Sequence, residues 1–356
     1  MFVAIRDLRF ARGRFALMGA VISLITMLVV LLSGLTVGLG RGNTSAITDL
    51  HADHLVFSAP AAGQTLSFTE SSIGASVQHD WALAPGVRTA DPVTVSMSRA
   101  ASGDRSAGVS VFSVPSGSPL APSVTTGHVA LSTKAAEALG AGAGERIELA
   151  GRPVTVTEVS GTQEFSHAPV IWTATSDAPA SGQEPGSATF IALTTNGADL
   201  AALDQQLGTR TLTPHQSLSA IGSYTSENGS LQLMRLLLFA ISALVIGAFF
   251  TVWTIQRSAE IAILKALGAS TGYLLRDALG QALALLVLGT AIGAGLATAA
   301  GAVITAIAGT AVPFQLDLST ALLPAGVMVL LGLAGTAASL RTVTTVDPLT
   351  ALGSAR

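Results

Sequence analysis

Leu236-Leu-Leu-Phe-Ala-Ile-Ser-Ala-Leu-Val-Ile-Gly-Ala-Phe-Phe-Thr-Val-Trp-Thr-Ile255 carries no charged side chain. A short charged segment follows it, Gln256–Asp277, and then a second apolar run, Ala278–Ile307. A bilayer core ~30 Å thick is crossed by roughly 20 apolar helical residues, and a helix satisfies its own backbone there. The stretch therefore reads as two membrane spans joined by a polar island. The island contains Glu260-Ile-Ala-Ile-Leu-Lys-Ala-Leu-Gly-Ala-Ser270, the place where a soluble partner can be met between the spans. That makes it the point at which force can enter.

Working outward, Phe15–Leu39 is also free of charge and is closed by Arg41. It is too long for a signal-peptide core and has no persuasive cleavage site after it, so it reads as a retained first span. Leu318–Leu340 is a fourth apolar run. The fold class that follows is a membrane protein with four transmembrane helices and a large extracytoplasmic α+β domain between helices 1 and 2. Its expected segments are a cytoplasmic amphipathic helix (1–14), span one (15–40), the outer domain (41–231), span two (232–255) and a cytoplasmic coupling segment (256–277). Span three (278–308), an extracellular loop (309–317), span four (318–341) and a cytoplasmic tail (342–356) complete the chain. Span three is longer than one crossing needs and should tilt or project. Its Gly289-x-x-x-Gly293 pair permits close helix approach, either to a second copy or within one subunit.

Only 11% of the 356 residues are charged, against roughly 25% in an ordinary soluble domain. The Lys and Arg residues set the topology. Residues 1–14, 256–277 and 341–356 hold nine of them and should face the cytoplasm. Residues 42–231 hold seven Lys/Arg against sixteen Asp/Glu, a balance of 7 − 16 = −9 that does not suit nucleic acid. Alternation of apolar and polar residues in Asp91–Met97, Gly108–Val114, Arg146–Leu149, Pro153–Val159 and Ala188–Leu193 predicts strands. Ser132–Leu139 and Ala198–Leu207 read as helices. There is no cysteine, hence no disulfide or thiolate site.

No phosphate-binding loop, nucleophile elbow or HExxH helix is present, so energy must come from elsewhere. Nothing indicates a bound metal. His51-x-x-His54 is a possible ligand pair, if both lie on one helical face, or a pair of solvated histidines. Arg235 sits at the edge of span two, where a charge is a functional-site candidate or an arginine snorkelling to the headgroups. Arg41 tops span one at the same level. With His51, Phe57, Tyr224, Glu227 and Met234 near in the chain, the two arginines would suit an amphipathic ligand bearing carboxylates. In the coupling segment, Gly268 suits a helix C′ position and Ser270 or Thr271 a cap.

Arg257-Ser-Ala-Glu-Ile-Ala-Ile-Leu-Lys-Ala-Leu-Gly-Ala-Ser270 resembles the coupling-helix signature of the FtsX/MacB-type (type VII) ABC transporter permeases. The tail from Ala338 to Leu352, with Asp347-Pro348, is similar to that family's ending, and Thr133 to Val159 to its extracytoplasmic domain. The opening Met1–Phe15 and the four-span size resemble the HrtB-type haem-efflux permeases within it. The resemblance implies a non-catalytic permease homodimer served by a separate, HrtA-like ATPase that binds ATP and Mg. Coupling would pass through Arg257, Glu260, Ile261, Leu264, Lys265 and Gly268, in contact with membrane lipid and with no intrinsic cofactor. Haem would then be the ligand of the arginine cluster. Two other functions remain open: an FtsX-like mechanotransmitter activating a cell-wall hydrolase, and extraction of lipoprotein or lipid.

Overall fold

The computed structural model of the chain describes residues 12–180, 184–256, 263, 267–308 and 312–344. The amphipathic segment up to residue 11 and the tail from 345 lie outside the described residues, as do Arg257, Glu260, Ile261, Leu264 and Lys265. In chain order the elements begin with α1 (Arg12–Thr48), β1 (His54–Ser58), α2 (Ala75–Leu83), β2 (Val87–Ser102), β3 (Arg105–Val114) and β4 (His128–Leu131). Next come α3 (Thr133–Leu139), β5 (Arg146–Leu149), β6 (Arg152–Val159), β7 (Glu164–Phe165), β8 (Ala168–Ala174) and β9 (Phe190–Thr195). The chain ends with α4 (Leu200–Leu207), β10 (Thr209–Leu212), α5 (Pro214–Ser217), α6 (Gly222–Gln256), α7 (Thr271–Ala308) and α8 (Leu318–Thr344). They fall into two compact units, Leu39–Gly229 and a helical unit formed by the chain on either side of it.

In the helical unit, α1, α6, α7 and α8 are long and apolar enough to cross a membrane. Several of their hydroxyls donate to the helix's own backbone one turn back: Ser33 to Val29 O at 2.9 Å, Thr254 to Phe250 O at 2.7 Å, Thr336 to Gly332 O at 2.7 Å. This removes the cost of a polar group in hydrocarbon. Met18, Ile22, Phe250, Leu286 and Met328 form the core between the helices.

Glycines set how closely the helices approach. A Cβ on Gly289 would lie 2.8 Å from Ile22 Cγ2, and one on Gly293 would lie 2.8 Å from Thr26 Cβ and collide with the carbonyl of Ser23. Ser23 Oγ donates to Gly289 O at 2.9 Å. The Gly289-x-x-x-Gly293 face is thus occupied by α1 of the same chain, which decides against its use as a dimer seam. Helices α6 and α8 meet in the same way, with a Cβ on Gly335 3.3 Å from Gly247 Cα.

Helices α1 and α6 exceed the boundaries read from hydropathy on the side of the outer domain. α1 continues past residue 40 to Thr48, and α6 starts at Gly222, before residue 232. At ~1.5 Å per residue the 37 residues of α1 are about 55 Å long. The polar extension Arg41–Thr48 stays helical because it is packed: Ala46 and Ile47 are buried in the outer-domain core, and Thr44 Oγ1 bonds Gly40 O at 2.8 Å. Helix α7 likewise begins at Thr271, inside the segment read as a charged turn.

The outer domain is a ten-stranded sheet ordered β10-β1-β9-β2-β3-β8-β4-β6-β5, with β7 beside β8. Strand β2 bends far enough to pair with β5 as well, through Ala100↔Leu149 and Ala101↔Glu148. That pairing closes β2, β3, β8, β4, β6 and β5 into a ring. One core lies inside the ring (Val109, Val111, Val129, Leu131, Ile147, Val156, Ile171). Alternate residues of the same strands point the other way: Phe112 and Val114 join Phe57, Phe68, Phe165, Trp172 and Phe190 in a second core. Helix α3 is capped by the Ser132 side chain, which accepts from Ala135 N, and ends at Gly140 in the left-handed region.

Candidate functional site

The chain enters the outer domain through the last turns of α1 and leaves through the first turns of α6. Between them lies the hairpin of β7 and β8, whose Phe165↔Ala168 pairing leaves Ser166 and His167 as a two-residue turn. Such turns need positive φ at both central residues and favour Asn-Gly. Here φ is +52° at Ser166 and +62° at His167. Left-handed backbone costs an L-residue roughly 1–2 kcal/mol, so the surrounding contacts must hold both residues there.

Those contacts centre on Asn43, whose side chain is fully buried. Its Oδ1 accepts from Ser223 Oγ at 2.8 Å, and its Nδ2 lies 3.3 Å from Glu227 Oε2 and 3.2 Å from His167 Nε2. His167 Nε2 is 2.7 Å from the same Glu227 oxygen. The amide of Asn43 can only donate through nitrogen and an ionised Glu227 can only accept. The consistent assignment has His167 Nε2–H and Asn43 Nδ2–H both donating to Glu227. The backbone joins in: Ser166 N donates to Asn43 O and His167 N to Gly42 O, both at 3.0 Å. Ser166 Oγ and Ser223 Oγ are 3.1 Å apart. Gly42 permits the approach, since a Cβ there would sit 3.3 Å from His167 Nδ1 and 3.5 Å from Glu164 Oε2. Glu164 is itself paired with Lys134 of α3, and its backbone N–H donates to Ser45 Oγ at 2.8 Å.

Of the side chains singled out by sequence, Arg41, His51, Phe57, Tyr224 and Glu227 belong to the outer domain, and Met234 and Arg235 to the helical unit. Arg41, His51 and Met234 are exposed. Tyr224 is half-buried against the aromatic core, and Glu227 is engaged by His167 and Asn43. Arg235 bonds Gln232 Oε1 at 2.5 Å. Phe57 is no ligand wall: it is fully buried, edge-on to Phe68 at 4.9 Å and 5.9 Å from Phe190. His51 and His54 do not share a helical face either, because α1 ends at Thr48, His51 sits in a bend and His54 opens β1. Among the described residues no three His, Cys, Asp or Glu side chains cluster so as to hold a metal.

In the coupling segment, Gly268 has φ +93°, Leu267 N bonds Ile263 O at 3.0 Å, and Ser270 Oγ accepts from Tyr273 N at 3.3 Å. Local sequence could not single out Asn43 or His167, which are 124 residues apart. The one available signal was a short polar, helix-compatible stretch after the first apolar run.

The family model for the FtsX-like permease C-terminal region matches residues 233–348, and that for the MacB-like periplasmic core domain matches residues 15–210. A hemin transport system permease protein, HrtB, of Staphylococcus epidermidis is 26% identical over 363 residues, 99% of each chain. Its namesake in Staphylococcus haemolyticus is 26% identical over 366 residues, again 99% of each. An uncharacterized ABC transporter permease of Mycobacterium tuberculosis is 23% identical over 363 residues and 99% of each chain. Among solved structures, the extracellular domain of the ABC-type transporter YknZ from Gram-positive bacteria matches 48% of this chain and 93% of its own, with TM-score 0.31 and 14% identity. The periplasmic region of MacB from Actinobacillus actinomycetemcomitans matches 48% and 92%, with TM-score 0.34 and 11% identity.

Proposed function

This chain belongs to the FtsX/MacB-type family of ABC transporter permeases, and from that premise we propose that it is the membrane subunit of a pump expelling haem or a similar amphipathic molecule. As an ABC permease of the cell membrane it implies a partner ATPase. We take that partner to be a separate, HrtA-like subunit binding ATP and Mg, and the permease to act as a homodimer without catalysis of its own. The observation that carries the haem reading is full-length similarity, 26% over 99% of each chain, to relatives named for hemin transport.

The arrangement of charge supports both termini in the cytoplasm, with the acidic domain outside. Closure of the ATPase would be felt at Arg257, Glu260, Ile261, Leu264, Lys265 and Gly268 and carried along α1 and α6. Both helices are continuous from a candidate span into the outer domain, which suits a mechanism that moves the domain without threading substrate through it. Arg41 and Arg235 are the proposed partners of the haem carboxylates, with His51, Tyr224 and Met234 as further contacts. Glu227 is retained in that set only as the group that His167 and Asn43 orient.

Permease purified from haem-fed cells should be red, with a Soret band that the colourless protein regains on haem titration. A colourless preparation with no spectral change on titration contradicts the reading. Tight binding of a cell-wall hydrolase by the outer domain, with no haem response, would replace it by mechanotransmission to a hydrolase.

A further inference from the structure

The contacts around Asn43 do more than close a hairpin. Three separated pieces of chain meet there: the end of α1 (Gly42, Asn43, Ser45), the turn Ser166–His167 with Glu164, and the start of α6 (Ser223, Glu227). Each piece is tied to the other two. Helix α1 receives both turn amides, at 3.0 Å each. Helix α6 receives the turn's side chains, His167 on Glu227 at 2.7 Å and Ser166 beside Ser223 at 3.1 Å. Asn43 ties α1 to α6 through Ser223 at 2.8 Å. From the turn, β8 runs on between β3 and β4 in the middle of the closed ring. A displacement of either helix is therefore passed through the turn to a strand of the closed ring. The turn is also built from residues that oppose its conformation, so its shape depends on the two helices remaining in place.

We propose that the Ser166–His167 turn is the latch through which α1 and α6 grip and move the outer domain, with His167 and Asn43 as positioning residues. The proposal rests on the reading of the chain as an ATPase-driven permease, and deepens it by naming where the motion is received. It is independent of what the cargo is.

Glycine at position 167 separates this role from simple structural support. It relaxes the left-handed backbone while deleting the imidazole that holds Glu227. A residue needed only for its backbone conformation would tolerate it or improve with it. Glutamine keeps an amide donor that can reach Glu227. In the full complex with its ATPase, reconstituted in liposomes, we expect His167→Gly to keep basal ATP hydrolysis within about two-fold. Haem export per ATP should fall ten-fold or more, and His167→Gln should restore most of it. Amide exchange at Ser166 and His167 should change between the nucleotide-free and ATP-trapped complexes in the wild type and not in His167→Gly.

Export per ATP equal to wild type in His167→Gly overturns the latch. So does wild-type exchange at these two amides that is the same in both nucleotide states. The exchange arm needs no haem, so it decides the latch even if the wild type fails to export haem, an outcome that would sink the proposed cargo instead.

Discussion

Replacing Gly293 by alanine tests how the helical unit is packed. The added Cβ would stand 2.8 Å from Thr26 Cβ and 3.1 Å from the carbonyl carbon of Ser23, both in α1. An ordinary carbon–carbon contact is ~3.5 Å, so α7 must retreat from α1 by at least ~0.7 Å, the Ser23 carbonyl oxygen standing closer still. The atoms in the way are backbone and a β-branched side chain, neither of which can swing aside. Overpacking of this kind costs roughly 1–3 kcal/mol.

The same opening strains the Ser23 Oγ to Gly289 O bond one turn away, worth about 0.6 kcal/mol on average for interhelical bonds in membranes. Alanine recovers up to ~1 kcal/mol of helix propensity, which leaves a net loss of about 1–3 kcal/mol. For a unit of this size that is a fall of roughly 2–4 °C in melting temperature per kcal/mol. Gly295→Ala is the internal control: nothing lies within 4 Å of its Cβ, so it should melt at or slightly above the wild-type temperature. The measurement is thermal unfolding of the full-length permease in detergent, with the oligomeric state recorded alongside. If Gly293→Ala melts like the wild type but loses self-association, this face meets a second copy and the intramolecular account is wrong.

Phe57→Ala should lower stability by about 3–5 kcal/mol, because Phe57 fills an aromatic core and contacts no solvent; a folded variant with reduced haem affinity alone would restore it to the ligand site. Asp204→Ala removes the acceptor for Thr209 Oγ1, Thr211 N and Thr211 Oγ1, each at 2.8 Å. It should destabilise the outer domain by roughly 2–3 kcal/mol and expose the edge strand β10, read as a lower melting point and faster aggregation. The double variant Arg41→Ala with Arg235→Ala should weaken haem binding and haem resistance, and unchanged values in both would discard the arginines as carboxylate partners. Ile261→Asp with Leu264→Asp should abolish co-purification of the ATPase, and intact association and export would remove the coupling helix from the mechanism.

The elements that sequence made legible are those whose periodicity is local. β2, β5 and β6 alternate because one face of each looks into the ring, and β3, buried on both faces, alternates because small buried serines separate its apolar residues. β8 does not, since Val170 to Ala174 are buried on both faces between β3 and β4, and the run Val170-Ile-Trp172 carries no period. The helical extension Arg41–Thr48 is invisible to hydropathy for the opposite reason: Asn43 and Ser45 are buried against partners more than a hundred residues away. Gly289 and Gly293 announced a close helix approach but not its partner, which depends on tertiary packing. Phe57 shows the limit of proximity along the chain. It is six residues from His51, yet it points into the core while His51 is exposed. Of the Asn43–His167–Glu227 cluster, Glu227 was singled out by sequence, and Asn43 and His167 were not.

Haem export by the reconstituted complex is the most direct test of the central claim. Permease and ATPase in liposomes should hydrolyse ATP faster as haem is added and should move haem out of the membrane only while ATP is hydrolysed. Hydrolysis indifferent to haem, with haem remaining in the bilayer, would contradict the account.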